Sequence, residues 1–386
     1  MTQQDPVTSD RLTDHVAIGL LATAFPEAAV HEVLDATGRR QVRDRALPAH
    51  LMVYLTMAMW LEFGKGYEQV LRFLLAGLCW ARGGWRDHTI PTGGAISRAR
   101  ERLGPEPLRL LFERTVEPTA ADDRPEALWR GLRRVAVDCT VFDLPASEGN
   151  TAAFATPGGG VPPRARLVAL AECGSLALLG AAFDSTDADE DTLFAGLLDR
   201  LGPDMVVLAG RGLASYELYT AAAGTGAQLA WRVPGSFALP VLRRLEDGTY
   251  LSQLCGEGRG ERVTVRVVEY SVTDDDGTSE VFALVTTLHD PRAAPAMELV
   301  RLHVDRWRVE TLFRLVRADL RVPGGVLRSR TAQGARQELW ALLCLYQALR
   351  PLTAHAAVID GVDPDRVRFR PLADAVEDSD QTAFSP

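Results

Sequence analysis

Asp138 is the first residue of this sequence whose type and position could do chemistry. It lies in the middle of the run 134–143, which is rich in β-branched and apolar residues and therefore predicts a buried strand. A carboxylate inside a buried strand is costly unless it is paired or holds a metal. Two hypotheses stay open at this point. Asp138 either forms a structural pair with an arginine, or the rigid strand aims it at a metal ion.

A second group of reactive side chains follows Pro295, on a segment with helical periodicity. Four residues there are three, four and seven positions apart: His303, Arg306, Glu310 and Arg317. This spacing puts them on one face of a helix. Such a face could bind a metal ion and phosphate groups. Alternatively, it could be a solvated face with ion pairs such as Arg306–Glu310.

The run 205–209 is fully apolar, which predicts a central parallel strand, and Gly210-Arg211-Gly212 ends it. Charge is unevenly distributed around these segments. The chain has a net charge of −9, but residues 299–336 hold nine arginines against three acidic residues. That segment is therefore +6 and the remainder −15. A basic patch on an acidic body predicts a nucleic-acid partner for the patch.

Cysteine usage and hydropathy indicate where the protein works. The five cysteines form no C-x-x-C pair, which argues against a zinc ribbon or a disulfide scaffold and fits a reducing cytosol. The longest apolar run near the start, 51–61, is too short to span a bilayer, and no signal peptide precedes it. We expect a cytoplasmic protein that does not interact with membranes.

The order of elements predicts an α/β protein. Residues 1–129 form a helical N-terminal domain, in which two short helices around Gly104-Pro105 resemble a helix-turn-helix with Arg98 and Arg102 beside it. A small helical bundle with a solvated arginine face is the alternative. Residues 130–233 have the order β-β-β-α-β-α-β, which matches a ribonuclease-H-like mixed sheet with flanking helices. An all-β insertion (234–291), further core helices (292–352) and an acidic tail (353–386) follow.

The sequence around His303, Arg306, Glu310 and Arg317 resembles a signature of bacterial insertion-sequence transposases of the DDE class, in the insertion-sequence-four family. That signature is Tyr-x2-Arg-x3-Glu-x6-Lys, and here His303 stands for its tyrosine and Arg317 for its lysine. The segment 136–138 resembles the family's first-aspartate strand, and 326–331 with 336–340 resembles its C-terminal segment. The family also carries a β insertion before its glutamate.

The resemblance implies DNA transposition, in which metal-activated water cuts a strand and the freed 3′-hydroxyl attacks target DNA. It implies that Asp138 and Glu310 are catalytic ligands of Mg²⁺ or Mn²⁺. The family's remaining acidic ligand, its second aspartate, falls at the position of Gly210. The resemblance also implies DNA element ends as the partner and a homodimer on DNA. The predicted DNA contacts are Arg306, Arg317, His303 and Arg211, together with Arg98 and Arg102.

One departure from the family pattern puts activity in question. The family's second aspartate is Gly210 here, and the aromatic residue that follows it is Leu213. None of the nearby acids (Asp184, Asp187, Asp204 and Glu217) is expected to reach the vacant position. The sequence therefore predicts an impaired transposase. The alternatives are a non-catalytic DNA-binding or scaffold remnant, and an α/β protein whose acids are structural.

Overall fold

The chain divides into a helical unit and a sheet unit. The computed structural model describes residues 12–41, 47–82, 90–116, 128–156, 160–235, 237–256, 262–273, 279–304, 306, 307, 309 and 326–360. The helical unit takes in the described residues up to Thr115, residues 147–149 and those from 326 onward. The sheet unit takes in the described residues between 116 and 309, apart from 147–149.

Helices dominate both ends of the chain and strands its middle. In chain order the described elements are α1 (Leu12–Ala24), α2 (Glu27–Ala36), α3 (Ala49–Leu61), α4 (Tyr67–Arg82), α5 (Gly93–Leu103), α6 (Glu106–Glu113), β1 (Leu128–Trp129), β2 (Leu132–Asp143), α7 (Glu148–Ala153), β3 (Arg164–Glu172), β4 (Leu178–Ser185), α8 (Glu190–Ala195), β5 (Met205–Ala209), α9 (Tyr216–Gly224), β6 (Gln228–Val233), β7 (Arg243–Arg244), β8 (Tyr250–Cys255), β9 (Arg262–Thr273), β10 (Ser279–Thr286), α10 (Ala296–Val304) and α11 (Ala332–Asp360). Within the described residues, no helix is both long and apolar enough to cross a membrane.

The helical unit is built around α3, which is apolar on all sides and almost wholly buried. The helix α11 packs against α3 and α6, and the Trp340 ring lies 5.5 Å from the Phe112 ring. This differs from the prediction that residues 292–352 complete the sheet domain. It differs also from the predicted tail, because α11 continues to Asp360, and the tail from 361 lies outside the described residues. An apolar helix face shows that a helix is buried, but it does not show which partner buries it.

A buried polar cluster fixes the start of α11 in the helical unit. The Arg100 guanidinium donates hydrogen bonds to Gln337 Oε1 (2.9 Å), Ser329 Oγ (3.1 Å) and Glu338 Oε1 (3.3 Å). Trp60 Nε1 donates to the Glu338 carbonyl at 2.8 Å. The residues whose text resembles the family's C-terminal segment are therefore used here to hold the helical unit together.

The sheet unit contains one ten-stranded mixed sheet. Its order is β4-β3-β2-β5-β6-β10-β9-β8-β7, with β1 paired to β2. The pairs β2–β5 and β5–β6 are parallel, and the other pairs are antiparallel. Strands β2 to β6, with α8 and α9 between the later ones, follow the predicted order β-β-β-α-β-α-β apart from the short helix α7 after β2, and the predicted ribonuclease-H-like fold class is confirmed.

The β insertion extends this same sheet rather than forming a separate layer. Strand β10 pairs antiparallel with β6, and β9 and β8 follow outward. Because β6 would otherwise be an open edge, β10 satisfies its backbone hydrogen bonds. The helices α8 and α9 cover one face of the sheet, where the Trp231 ring lies 6.1 Å from Phe194 and 5.3 Å from Tyr219.

Candidate active site

The parallel strands bring Asp138 and Gly210 to the same level of the sheet. Val137 is the register partner of Ala209, and Asp138 and Gly210 are the next residue of each strand. Val137 and Ala209 both face the core beneath α8 and α9. Since side chains alternate along a strand, Asp138 points to the other face. The predicted proximity of residues 138 and 210 therefore follows from the register of the two strands.

Arg306 lies next to both positions. Its Nη1 is 3.5 Å from Asp138 Oδ1, and the two side chains are 8% and 20% exposed. A Cβ atom built on Gly210 would lie 3.5 Å from the Arg306 Cζ. The guanidinium thus stands where the side chain of a second acid would begin. Of the two hypotheses for Asp138, the structure shows the pairing with an arginine.

This placement differs from the predicted role of Arg306 as an exposed clamp on DNA phosphate. The residue is buried at 6% exposure, and its charge is engaged by Asp138. A buried guanidinium that already pairs with a carboxylate has to leave that partner before it can bind a phosphate. Contact between Arg306 and DNA therefore stays a prediction that the free protein does not favour.

His303 is buried beside the end of β5. Its Nε2 lies 3.1 Å from the Ala209 carbonyl oxygen, and the residue is 3% exposed. Burial, and to a smaller extent the nearby Arg306 and Arg232 charges, lower the pKa of His303 to about 4 against the opposing effect of the hydrogen bond to Ala209. The imidazole is neutral at pH 7 and donates its Nε2–H to Ala209. It positions the strand end, whereas its predicted contact with phosphate stays a prediction.

The remaining predicted site residues have different placements. Glu310 and Arg317 lie outside the described residues. Arg211 is exposed in the short turn 211–213 that follows β5. Arg98 and Arg102 are exposed on α5 in the helical unit, one helical turn apart, while Arg100 between them is buried.

Glu190 is an acid near the strand ends that the sequence analysis did not identify. A Cβ atom on Gly212 would come within 2.6 Å of Glu190 Oε2, so the missing side chain leaves room for this carboxylate. Burial, then a hydrogen bond to Glu190, raise the pKa of the Cys139 thiol to about 12. In the sequence, the second glycine of Gly210-Arg211-Gly212 indicates a contact of this kind, because glycine permits close approach of another group. The sequence could not show which acid of the preceding loop would approach.

Of the ligands predicted for divalent cations, Asp138 lies among the described residues, whereas Glu310 does not. Such ions require several oxygen ligands, and carboxylates supply most of them. Within the described part of the chain, Asp138 belongs to no group of three metal-ligating side chains close enough to share one ion. The Arg306 cation lies 3.5 Å from Asp138 Oδ1 and would repel an ion at this position.

The backbone at Gly210 is ordinary. Its φ of −80° and ψ of 175° are extended values that any residue can adopt. Gly210 does not have the left-handed conformation that would strain an aspartate at this position. A Cβ atom added at this position would meet the Arg306 guanidinium at van der Waals distance and would not clash.

Comparisons with known proteins identify the family of this chain. The insertion element 4 transposase N-terminal family matches residues 15–113, and the transposase DDE domain family matches residues 129–348. Transposase InsG for insertion sequence element IS4, from Escherichia coli strain K12, is 27% identical over 355 residues, which cover 88% of this chain and 78% of that protein. The cryo-EM structure of the piggyBac transposase synaptic complex with hairpin DNA aligns at 11% identity and a TM-score of 0.49, covering 100% of this chain and 85% of that chain. The chain belongs to the DDE transposases, in the insertion element 4 family.

Proposed function

We propose that this transposase binds DNA but cuts it slowly, because Gly210 and Arg306 occupy the place where the resemblance puts a second acid. The observation that supports the proposal is the Arg306 guanidinium, which lies 3.5 Å from Asp138 and beside the Gly210 Cα. Membership of the DDE family implies dependence on a divalent cation. We propose Mg²⁺ or Mn²⁺ as that cation, with Asp138 and Glu310 as its remaining carboxylate ligands.

The argument for slow cleavage is electrostatic. A guanidinium and a single carboxylate together carry no net charge, so they attract a divalent cation weakly. An aspartate at position 210 would give Arg306 a second carboxylate partner and would leave Asp138 freer to bind a cation. Losing one acid from such a site removes stabilisation of about 4 kcal/mol, or roughly a thousandfold in rate.

The test compares the native protein with the Gly210→Asp variant. The substrate is a DNA duplex that carries the element's terminal repeats, incubated with Mg²⁺ or Mn²⁺. We expect little or no strand cleavage by the native protein and a clear gain after the substitution. Gly210→Asn is the matched control, because it adds the same side-chain volume without a charge at a backbone position that tolerates both.

Two results would contradict the proposal. Robust metal-dependent cleavage by the native protein would mean that another group acts as the second acid. Glu190 is the first residue to test in that case, by Glu190→Gln, since its carboxylate lies over the turn that follows β5. Equal gains from Gly210→Asp and Gly210→Asn would mean that volume rather than charge is limiting.

A non-catalytic DNA-binding or scaffold protein is the second candidate function. The Asp138–Arg306 pair favours it, because this pair closes the site without a cation. Titration with Mn²⁺, followed by electron paramagnetic resonance, separates the two candidates. An impaired enzyme should bind Mn²⁺ more tightly after Gly210→Asp, whereas a remnant with further lesions should gain neither metal affinity nor cleavage.

The assembly on DNA is a further part of the proposal. The family resemblance implies that two copies of the chain hold the element ends together. Mass photometry of the protein with and without a terminal-repeat duplex measures this directly. We expect a species with two protein chains only when DNA is present. A single chain per duplex at every protein concentration would contradict a homodimer.

A further inference from the structure

The helical unit contains a cluster of two histidines and a glutamate that the transposase chemistry does not use. Glu27 is the first residue of α2, His31 lies one helical turn later, and His50 is the second residue of α3. Their donor atoms all lie within 4.8 Å of one another. Among the residues that the structure describes, they form the only group of three histidine, cysteine or acidic side chains with this property.

The geometry of the cluster is close to that of a metal site. His31 Nε2 lies 3.5 Å from Glu27 Oε1, and the His31 and His50 rings are 5.1 Å apart and tilted by 57°. Zinc–ligand bonds of about 2.1 Å in a tetrahedral arrangement place neighbouring donor atoms roughly 3.4 Å apart. The Glu27–His31 pair already has this separation. The donor atom of His50 lies within 4.8 Å of the other two.

The side chains are partly exposed, which gives an ion a route of entry. The Glu27 side chain is 42% exposed and that of His31 is 29% exposed. The second ring nitrogen of His31, Nδ1, is buried and has no hydrogen-bond partner among the described residues. A metal bound at Nε2 would fix the ring proton on Nδ1, whereas a metal bound at Nδ1 would give this nitrogen a partner.

The donor set selects the class of metal. Imidazole nitrogens suit zinc and neighbouring transition metals, while Mg²⁺ prefers oxygen ligands in an octahedral arrangement. Two neutral histidines with one carboxylate form the set found at zinc sites that keep one position open for water. This chemistry differs from that expected at Asp138 in the sheet unit.

We propose that Glu27, His31 and His50 bind one divalent transition-metal ion, with zinc preferred, and that the ion ties α2 to α3. The helix α2 also bonds to the end of α6, because Arg114 Nη1 donates to Glu32 Oε2 at 2.8 Å. In addition, Arg39 Nη1 donates to the Arg102 carbonyl at 3.1 Å. An ion that fixes α2 on α3 therefore steadies the segment that carries Arg98 and Arg102.

The experiment uses the full chain, stripped of metal with a chelator and then titrated with Zn²⁺ or Co²⁺ alone. We expect one Zn²⁺ per chain at this site, a rise in Tm on binding, and visible Co²⁺ absorption bands typical of nitrogen ligation. His50→Asn and His31→Asn should weaken Zn²⁺ affinity by about 100-fold or more, since removing a ligand costs at least as much as removing a residue that orients one. Glu27→Gln is a milder variant that keeps the side-chain volume.

Two control variants separate this site from others. Glu32→Gln removes a carboxylate from the same helix and should leave Zn²⁺ affinity unchanged. Asp138→Asn alters the candidate active site and should also leave it unchanged, so failure of the proposed transposase chemistry does not affect the result. Metal-free variants are compared by circular dichroism, which confirms that they fold. Equal Zn²⁺ binding by the native protein and His50→Asn, or loss of binding in Asp138→Asn, would overturn the proposal.

Discussion

Two carboxylate–guanidinium pairs in this protein differ in how completely the fold encloses them. In the helical unit, Arg100 and Glu338 are 3.3 Å apart and only 6% and 2% exposed, and further side chains of the same unit bond to both. In the sheet unit, Asp138 and Arg306 are 3.5 Å apart, and one fifth of the Asp138 side chain is exposed beside a glycine. The first pair is closed on all sides, whereas the second leaves a carboxylate within reach of a ligand.

The two pairs lie in two parts of the chain that resemble the family in different ways. The segments 326–331 and 336–340, which resemble the family's C-terminal segment, supply polar residues to the enclosed cluster around Arg100. At the end of β5, Gly210 stands where the resemblance places an acid. The enclosed cluster thus holds the helical unit together, whereas the strand end bears on the chemistry that we propose to be impaired. A match to the family alone does not distinguish these two cases.

The largest effect is expected from breaking the enclosed pair. Glu338→Ala leaves the Arg100 charge buried without its carboxylate, which should lower the free energy of unfolding by roughly 3–5 kcal/mol. Urea denaturation followed by tryptophan fluorescence measures the change, because Trp60 bonds to the backbone at this position. The helical unit of the variant should therefore unfold at a lower urea concentration than that of the native protein.

The matched control for that variant is an exposed pair in the same unit. Arg109 and Glu113 form an ion pair on α6 with side chains 39% and 32% exposed. Glu113→Ala should cost less than about 1 kcal/mol, since solvent screens such pairs. If Glu338→Ala cost no more than Glu113→Ala, the enclosed cluster would not be the structural element we infer.

His303 gives a pH-dependent way to loosen the open site. Its pKa in the folded chain is about 4, below its ordinary value near 6.5, so the unfolded chain binds the extra proton between these pH values. Stability should therefore fall as the pH is lowered from about 6.5, by roughly 3 kcal/mol at pH 4 from this group. Above pH 6.5 the group should add no pH dependence.

The measurement compares urea unfolding at several pH values between 4 and 7. His303→Gln keeps a donor for the Ala209 carbonyl and cannot titrate, so its stability should fall less steeply as the pH drops. His289→Gln is the control, because His289 is exposed and its Nε2 also lies 3.1 Å from a backbone carbonyl, that of Thr264. Equal pH slopes for the native protein and His303→Gln would contradict a depressed pKa at His303.

Much of the sheet could be predicted from the sequence, because apolar runs and the residues that end them specify the strands. The register of β2 and β5 then places Asp138 beside Gly210. The partner of Arg306 could not be predicted. Spacing along the helix allowed Glu310, four residues on, as readily as any group on the sheet. Among the described residues, the chain that follows α10 brings Arg306 to Asp138.

Two further features that the sequence analysis did not predict have the same physical origin. The place of α11 depends on which apolar face it meets, and both units offered one. The carboxylate of Glu190 reaches Gly212 because the loop after β4 folds back, a path that local residue preferences do not determine. In each case the sequence specified the element and left its distant partner open. Long-range packing decided the outcome.

The smallest expected effect concerns DNA affinity and compares exposed with enclosed arginines. Arg98 and Arg102 are exposed on α5, so each can release a counterion on binding a phosphate, whereas Arg306 is buried against Asp138. Replacing both Arg98 and Arg102 by Gln should reduce the slope of log affinity against log salt by about 1.8 for duplex DNA. Arg306→Gln should leave the slope unchanged, as measured by fluorescence anisotropy over a salt series. A flatter slope for Arg306→Gln would show that Arg306 leaves Asp138 when DNA binds, and that the open pair is a switch rather than a closed contact.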